Sequence, residues 1–339
     1  MKSDNRAWIE AALAHREPHR VPYNFTFSPP ARLLLEGFYG TGQIEEALNF
    51  PIRTAAPTSK KPLYAAPHEF GPTVTDEFGV VWSTSDIDRG SPIGPCLGEA
   101  DLSSYRWPDP LVPGRFDGLP EWCERLAGNF RLIWVGDLWE RATFMRGMEH
   151  LLLDLATNPS FVDALLDGLE RYILRTMEVL IDACRFECIA ISDDYGTQKG
   201  PLMSPAHWRR FVKPRLAAIY SLAKAHGLAV MHHSCGNILP IIPDMIDLGL
   251  DILHPVQPEA MDVRLLKREF GKSITLCGGV GTQQLLPHGT PDDVKAEIHK
   301  LKRDLGTGGG YILEPGITLQ ADVPLANMVA MIEAAREDT

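Results

Sequence analysis

Val230-Met231-His232-His233-Ser234-Cys235-Gly236 reads as a short buried strand between a helix that closes at His226-Gly227 and another from Ile238 to Leu248. Repetition of this βα unit decides the fold. Residues two apart on a strand share a face, so His233 and Cys235 project together while His232 and Ser234 face the other way. An imidazole beside a thiolate is half of a zinc site, which needs at least a third protein ligand. The competing reading is a packed histidine next to a cysteine that behaves as a small hydrophobe. Gly236 lets the backbone turn sharply or admit a ligand closely.

Outward from this strand the pattern repeats. Upstream, Arg131–Gly136 is a strand followed by a helical stretch through Leu155, and Asn158-Pro159 opens a long amphipathic helix. Glu187–Ser192 is the next strand, ending in Asp193-Asp194-Tyr195-Gly196, and Ser204-Pro205 opens a helix to His226. Downstream, the strands are Asp251–His254, Ile274–Cys277 and Tyr311–Glu314. Their helices are Asp262–Phe270, Thr290–Leu305 and Pro324–Arg336. Strands and helices alternating over short connections mean a parallel sheet. With a helix at Asn5–His15 and a first strand at Arg20–Phe25, the count suits a TIM-type (β/α)8 barrel, an α/β fold, over residues 1–339 as one domain. Residues 28–130 are rich in proline and glycine and read as an insertion, with a hairpin over Thr73–Thr84. An open doubly wound sheet is the alternative. It would call for a G-x-G-x-x-G turn after its first strand, and none is present there. Gly306–Gly310 precedes a strand and reads as a tight turn on the face opposite the catalytic rim.

With 33 basic against 44 acidic residues and a net charge of −11, the chain has no basic footprint for nucleic acid. No run reaches the length of a membrane span, and Met1–Arg6 has no apolar signal core, so a cytoplasmic location is expected. Six cysteines in 339 residues are too sparse for a disulfide framework.

Chemistry in such a barrel sits at the carboxyl ends of the strands. Five successive strands bring Asp193 and Asp194, His233 and Cys235, His254 and Gln257, Cys277, and Glu314 to that rim. Each has a plainer role available. The aspartates can cap a turn or pair with arginine, Cys277 can pack as an apolar residue, and Glu314 can pair with a lysine. Cys184 and Cys188, without a neighbouring histidine, read as core.

These residues, with Arg20-Val21-Pro22, Asp193-Asp194-Tyr195-Gly196, His233-Ser234-Cys235-Gly236, Asp251–Gln257, Gly278–Gln283 and Tyr311–Gly316, give a chain that resembles the uroporphyrinogen decarboxylase superfamily. It looks closest to the branch of corrinoid-dependent, coenzyme M-type methyltransferases. The resemblance implies a TIM-type barrel, a small-molecule substrate, a corrinoid carried by a partner protein, zinc, and a homodimer. The decarboxylases carry Arg-Gln-Ala-Gly-Arg after the first strand and Gly-His-Gly at the last. Here those places read Thr26–Arg32 and Glu314-Pro315-Gly316. In the methyltransferase branch zinc is held by His-x-Cys and a later cysteine. His233 and Cys235 match the first two, and Ile317 stands at the third, leaving Glu314, then Cys277 or Glu259, as the expected substitute. Asp193, Asp194, His254 and Gln257 are the expected catalytic residues. The alternatives are a metal-free lyase acting on a small acid, with Asp193 or Asp194 as general acid, and a binding barrel without catalysis.

Overall fold

The computed structural model describes residues 5–338. Its main sheet is built from β1 (Ile52–Ala55), β5 (Phe130–Gly136), β6 (Cys188–Ser192), β7 (Ala229–His233), β8 (Ile252–Val256), β9 (Thr275–Val280) and β10 (Tyr311–Pro315). All seven are parallel and neighbours in that order. The eighth place of the TIM-type barrel is taken by the extended segment around Tyr23. Asn24 N donates to Leu313 O (3.0 Å) and Leu313 N to Pro22 O (2.8 Å). The expected first strand at Arg20–Phe25 is therefore reduced to isolated bridges at Tyr23 and Phe27. Pro22 has no N–H to continue a ladder, which gives the physical reason.

Strand parity divides the core in two. Ile52, Phe130, Leu132, Cys188, Ala190, Met231, Ile252, Cys277 and Ile312 pack together inside the curl of the sheet, closed below by Ile9 of the Asn5–Leu13 helix. Residues one position along, such as Ile133, Ile189, Val230, Leu253, Leu276 and Leu313, pack outward against the helices. Strands buried on both faces read as continuous apolar runs, and most of these were legible for that reason. Gly308, Gly309 and Gly310 all have positive φ (66 to 78°) and turn the chain into β10 beneath the barrel, where Gly310 N donates to Ala12 O.

Three expectations need correction. Residues 28–130 are not all insertion. Helix Pro29–Tyr39 and β1 belong to the barrel, and the inserted part begins after β1. Only Ile52 of β1 is buried, so four residues carried no readable period. The helical stretch after β5 breaks at Gly147 (φ 84°) into Trp139–Arg146 and Met148–Thr157. The helix from Ser204 is interrupted by a π-helical turn at Trp208–Val212 before Lys213–Ala225. Pro214 cannot donate to the preceding turn, and such turns relieve a missing bond. The insertion carries the expected hairpin as β2 (Thr73–Thr75) and β3 (Val81–Ser83), extended by β4 (Pro92–Gly94) into a three-stranded antiparallel sheet. Among the described residues no helix is long and apolar enough to cross a membrane.

The insertion docks on the long helix Pro159–Ala183 at Gly168, where an added Cβ would lie 2.0 Å from the Trp107 ring. Gly168→Ala should therefore lower the denaturation midpoint, by about 1–3 kcal/mol of overpacking. In a Trp107→Leu background the same change should become neutral or stabilising, because alanine suits a helix better than glycine. Additive effects in that cycle would show that the insertion does not dock here.

Candidate functional site

Register places the polar residues. Ser192 lies opposite His233, and His233 opposite His254, across β6, β7 and β8. All three therefore face the interior above the apolar layer. The His233 and His254 rings stand 4.9 Å apart between centroids, with Nδ1 facing Nδ1 at 2.9 Å. The Trp134 indole meets both edge-on, at 6.2 and 6.4 Å.

Two triads of donors gather on either side of this histidine pair. In the outer one, Asp194, His233 and Cys235 bring ligand atoms within 4.8 Å of one another. His233 Nε2 lies 3.5 Å from Asp194 Oδ1 and 3.5 Å from Cys235 Sγ. In the inner one, His254, Cys277 and Glu314 do the same, with Cys277 and Glu314 buried and the His254 side chain 12% exposed. Cys277 Sγ donates to Glu314 Oε2 at 2.9 Å, and His254 Nε2 stands 3.6 Å from that oxygen.

Glu314 was expected to complete the set of His233 and Cys235. The third donor brought to that pair is instead Asp194, two residues past the end of the adjacent strand β6. Glu314 ends β10, three strands beyond β7, and gathers with Cys277. Glu259 accepts from Gln283 N in a neighbouring loop and joins neither triad.

Asp193, expected at the cavity, points the other way. It is fully buried and its Oδ1 accepts from Leu138 N and Glu140 N (2.9 and 2.8 Å), while Tyr195 Oη donates to Oδ2 (2.8 Å). Alternation along the strand explains it, since Ser192 and Asp194 take the inward face. His232 and Ser234 also turn outward. His232 bonds the Tyr220 hydroxyl (2.7 Å), and burial holds its pKa down at about 3. Ser234 Oγ accepts from Tyr195 N.

Gly196 and Gly236 carry the two loops past each other. A Cβ on Gly236 (φ 79°) would meet Gly196 C at 2.5 Å, and one on Gly196 would meet Cys235 O at 2.6 Å. This contact fixes the loop that holds Cys235. Cys235 N donates to Asp194 Oδ1 (2.8 Å), and Gly236 N to Gln257 Oε1 (3.1 Å). Above them lies a cavity of about 310 Å³, bordered by Cys235, Gln257, Thr197, Thr282 and Ile317. Of the outer triad, Cys235 borders this small-molecule-sized space, and Ile317 faces it as well.

Burial opposes charge at both partners of the outer ion pair, yet pairing outweighs it. Asp194 is pulled down to about 2 by His233, and His233 is raised to about 10 by Asp194 and Cys235. The triad is built to hold positive charge. One imidazole, one thiol and one carboxylate are accepted zinc donors, and the cavity leaves room for a further ligand, so these residues fit that metal.

Glu140 was not foreseen. It follows β5 on the helix Trp139–Arg146, with Oε2 accepting from Ser192 Oγ (3.2 Å). Burial first, then Asp194 and Asp137, raise its carboxyl to about 7. The signal available was its place just after a strand end, at the rim.

The family model described as uroporphyrinogen decarboxylase (URO-D) matches residues 97–338. A methylcobamide:CoM methyltransferase of Methanosarcina barkeri is 32% identical over 152 residues, 45% of this chain and 42% of that protein. A uroporphyrinogen decarboxylase of Thermus thermophilus is 25% identical over 140 residues, 40% of this chain and 38% of that protein. The chain thus spans less than half the length of these two relatives. The solved structure of a methyltransferase from Methanosarcina mazei aligns over 98% of both chains, with a TM-score of 0.74 at 20% identity. At that identity the likeness speaks for the barrel.

Between an ordinary value of 4.5 and about 7, folded Glu140 keeps a proton that the unfolded chain has released. Stability should therefore fall as pH rises through that window, by up to roughly 3 kcal/mol. Glu140→Gln should flatten the part of the slope between pH 4.5 and about 7 and be the more stable protein at pH 8. Parallel stability curves for the two proteins from pH 4.5 to 8 would contradict this.

Proposed function

The chain belongs to the uroporphyrinogen decarboxylase family, and from that premise we propose that it is a methyltransferase using zinc held by Asp194, His233 and Cys235. The observation that carries this reading is the outer triad of mixed O, N and S donors, whose Cys235 borders a cavity. The methyl group would pass between a corrinoid on a separate protein and a small molecule bound in the cavity, and two chains would pair. The methyltransferase among the relatives supports the choice of reaction.

When bound, zinc supplies Lewis acidity that turns a thiol into a competent nucleophile at neutral pH. The chain's own residues do the rest. Asp194 is oriented by Cys235 N and holds its charge against His233. Gln257, whose Oε1 accepts from Gly236 N, offers its Nε2 hydrogens to a substrate in the cavity. Ile317 gives the mouth an apolar wall, which suits a methyl group.

The lyase reading with Asp193 or Asp194 as general acid has less support. Asp193 is sealed behind the sheet by three donors, and Asp194, held at about 2, is already ionised at neutral pH. A general acid works best with a pKa near the working pH. Arg32, which falls in the segment where decarboxylases hold substrate carboxylates, is paired with Glu36 and Glu45.

Protein purified without chelator should carry about one zinc per chain by elemental analysis. Less than about a tenth of an equivalent would end this reading. Cys235→Ser and Asp194→Asn should slow methyl transfer from a methylated cobamide to a thiol at least about a hundredfold, since Lewis-acid assistance is worth several kcal/mol. The cobalt-substituted wild type should change its visible spectrum on adding thiol, and Cys235→Ser should not.

A further inference from the structure

The inner triad has no part in that reaction, and its composition repeats that of the outer one. Each has one imidazole, one thiol and one carboxylate. Glu314 is a buried carboxylate whose polar contacts are the Cys277 thiol, His254 Nε2 and Asn24 Nδ2 (3.1 Å). No lysine or arginine pairs with it among the described residues. A carboxylate removed from water is costly unless a cation compensates it, and the groups around Glu314 are metal donors. A divalent ion there would displace the Cys277 thiol proton to solvent. The ion, one thiolate and one carboxylate then sum to zero charge.

The histidine pair links the two positions. Each ring turns Nε2 toward its own triad and Nδ1 toward the other ring. A neutral imidazole carries one N–H. If His233 Nε2 ligates a metal, its hydrogen sits on Nδ1 and is donated to His254 Nδ1. The hydrogen of His254 then sits on Nε2, which has no lone pair left for the inner ion. The mirror arrangement holds when His254 ligates. Filling both positions would put two hydrogens into a 2.9 Å gap.

We propose that His254, Cys277 and Glu314 form a second divalent-cation position beneath the outer one, and that the single hydrogen shared by His233 and His254 lets only one position be filled at a time. The alternation rests on the outer-site reading above, whereas the inner position does not. Cys235 of the outer triad borders the cavity and no member of the inner triad does, so an ion in the inner position would be out of reach of substrate. Which position is filled therefore separates a competent protein from a stored, inactive one.

The test is titration of metal-free protein with Co(II), read as thiolate-to-cobalt charge-transfer absorption. Wild type should saturate at one equivalent. Cys235→Ser should also take one equivalent and keep a thiolate band, now from Cys277, without responding to added thiol. Cys277→Ser should take one equivalent with a band that responds to thiol, and the double variant should show no band. Glu314→Gln, close in volume to the native residue, replaces Cys277→Ser if that variant fails to fold. Its combination with Cys235→Ser should weaken cobalt binding at least tenfold relative to Cys235→Ser alone. Absence of a thiolate band in Cys235→Ser would overturn the inner position. Two equivalents in the wild type would overturn the alternation. Loss of the band in Cys277→Ser, with Cys235→Ser retaining it, would instead overturn the outer site and with it the alternation, leaving the inner position standing.

Discussion

Parallel register across β6, β7 and β8 is the constraint on which the site depends. Neighbouring strands lie about 4.8 Å apart, and Ser192, His233 and His254 occupy the same level on three of them. Two imidazoles are thereby pressed together at a distance only a hydrogen bond makes favourable. A slip of one residue in β7 would send His233 to the helix layer and bring His232 inward. The outward partners of His232 and Ser234 oppose that slip. The Tyr220 hydroxyl and the Tyr195 amide are each satisfied only in the observed register.

The outward-facing polar residues are consequently as much part of the site as the inward ones. Asp193 ties the turn after β5 to the end of β6, because Leu138 N and Glu140 N both converge on one of its oxygens. That clamp sets Glu140 beside Ser192 and within electrostatic reach of Asp194. Buried polar groups that are fully paired specify one arrangement, and here they specify where three loops stand relative to one another. The Gly196–Gly236 contact does the same for the backbone, since neither loop can carry a side chain at the crossing.

Electrostatics then divides the interior. Asp194 and Cys235 together favour a proton on His233 against its burial. A site that retains a proton so strongly has the charge balance a metal ion would need. Deeper, among the described residues Glu314 has only a thiol, an amide and an imidazole to answer it. The barrel places this second demand for positive charge directly against the first.

The sequence by itself determined the alternating βα order from residue 131 onward, because strands buried on both faces and amphipathic helices leave strong local periods. It also determined that His233 and Cys235 share a face, since a period of two follows from strand geometry alone. It determined less about β1, where a single buried residue leaves no period, and about the break at Trp208–Val212, which Pro214 explains only once the helix is seen. Tertiary structure alone decided which rim residues meet. Asp194 joins His233 because β6 is the neighbour of β7, Glu314 joins Cys277 because β10 is the neighbour of β9, and Asp193 leaves the rim by parity. Such pairings depend on strand order and register in space, and no local pattern in the chain encodes the distance between residues that, like Cys277 and Glu314, lie 37 positions apart on different strands.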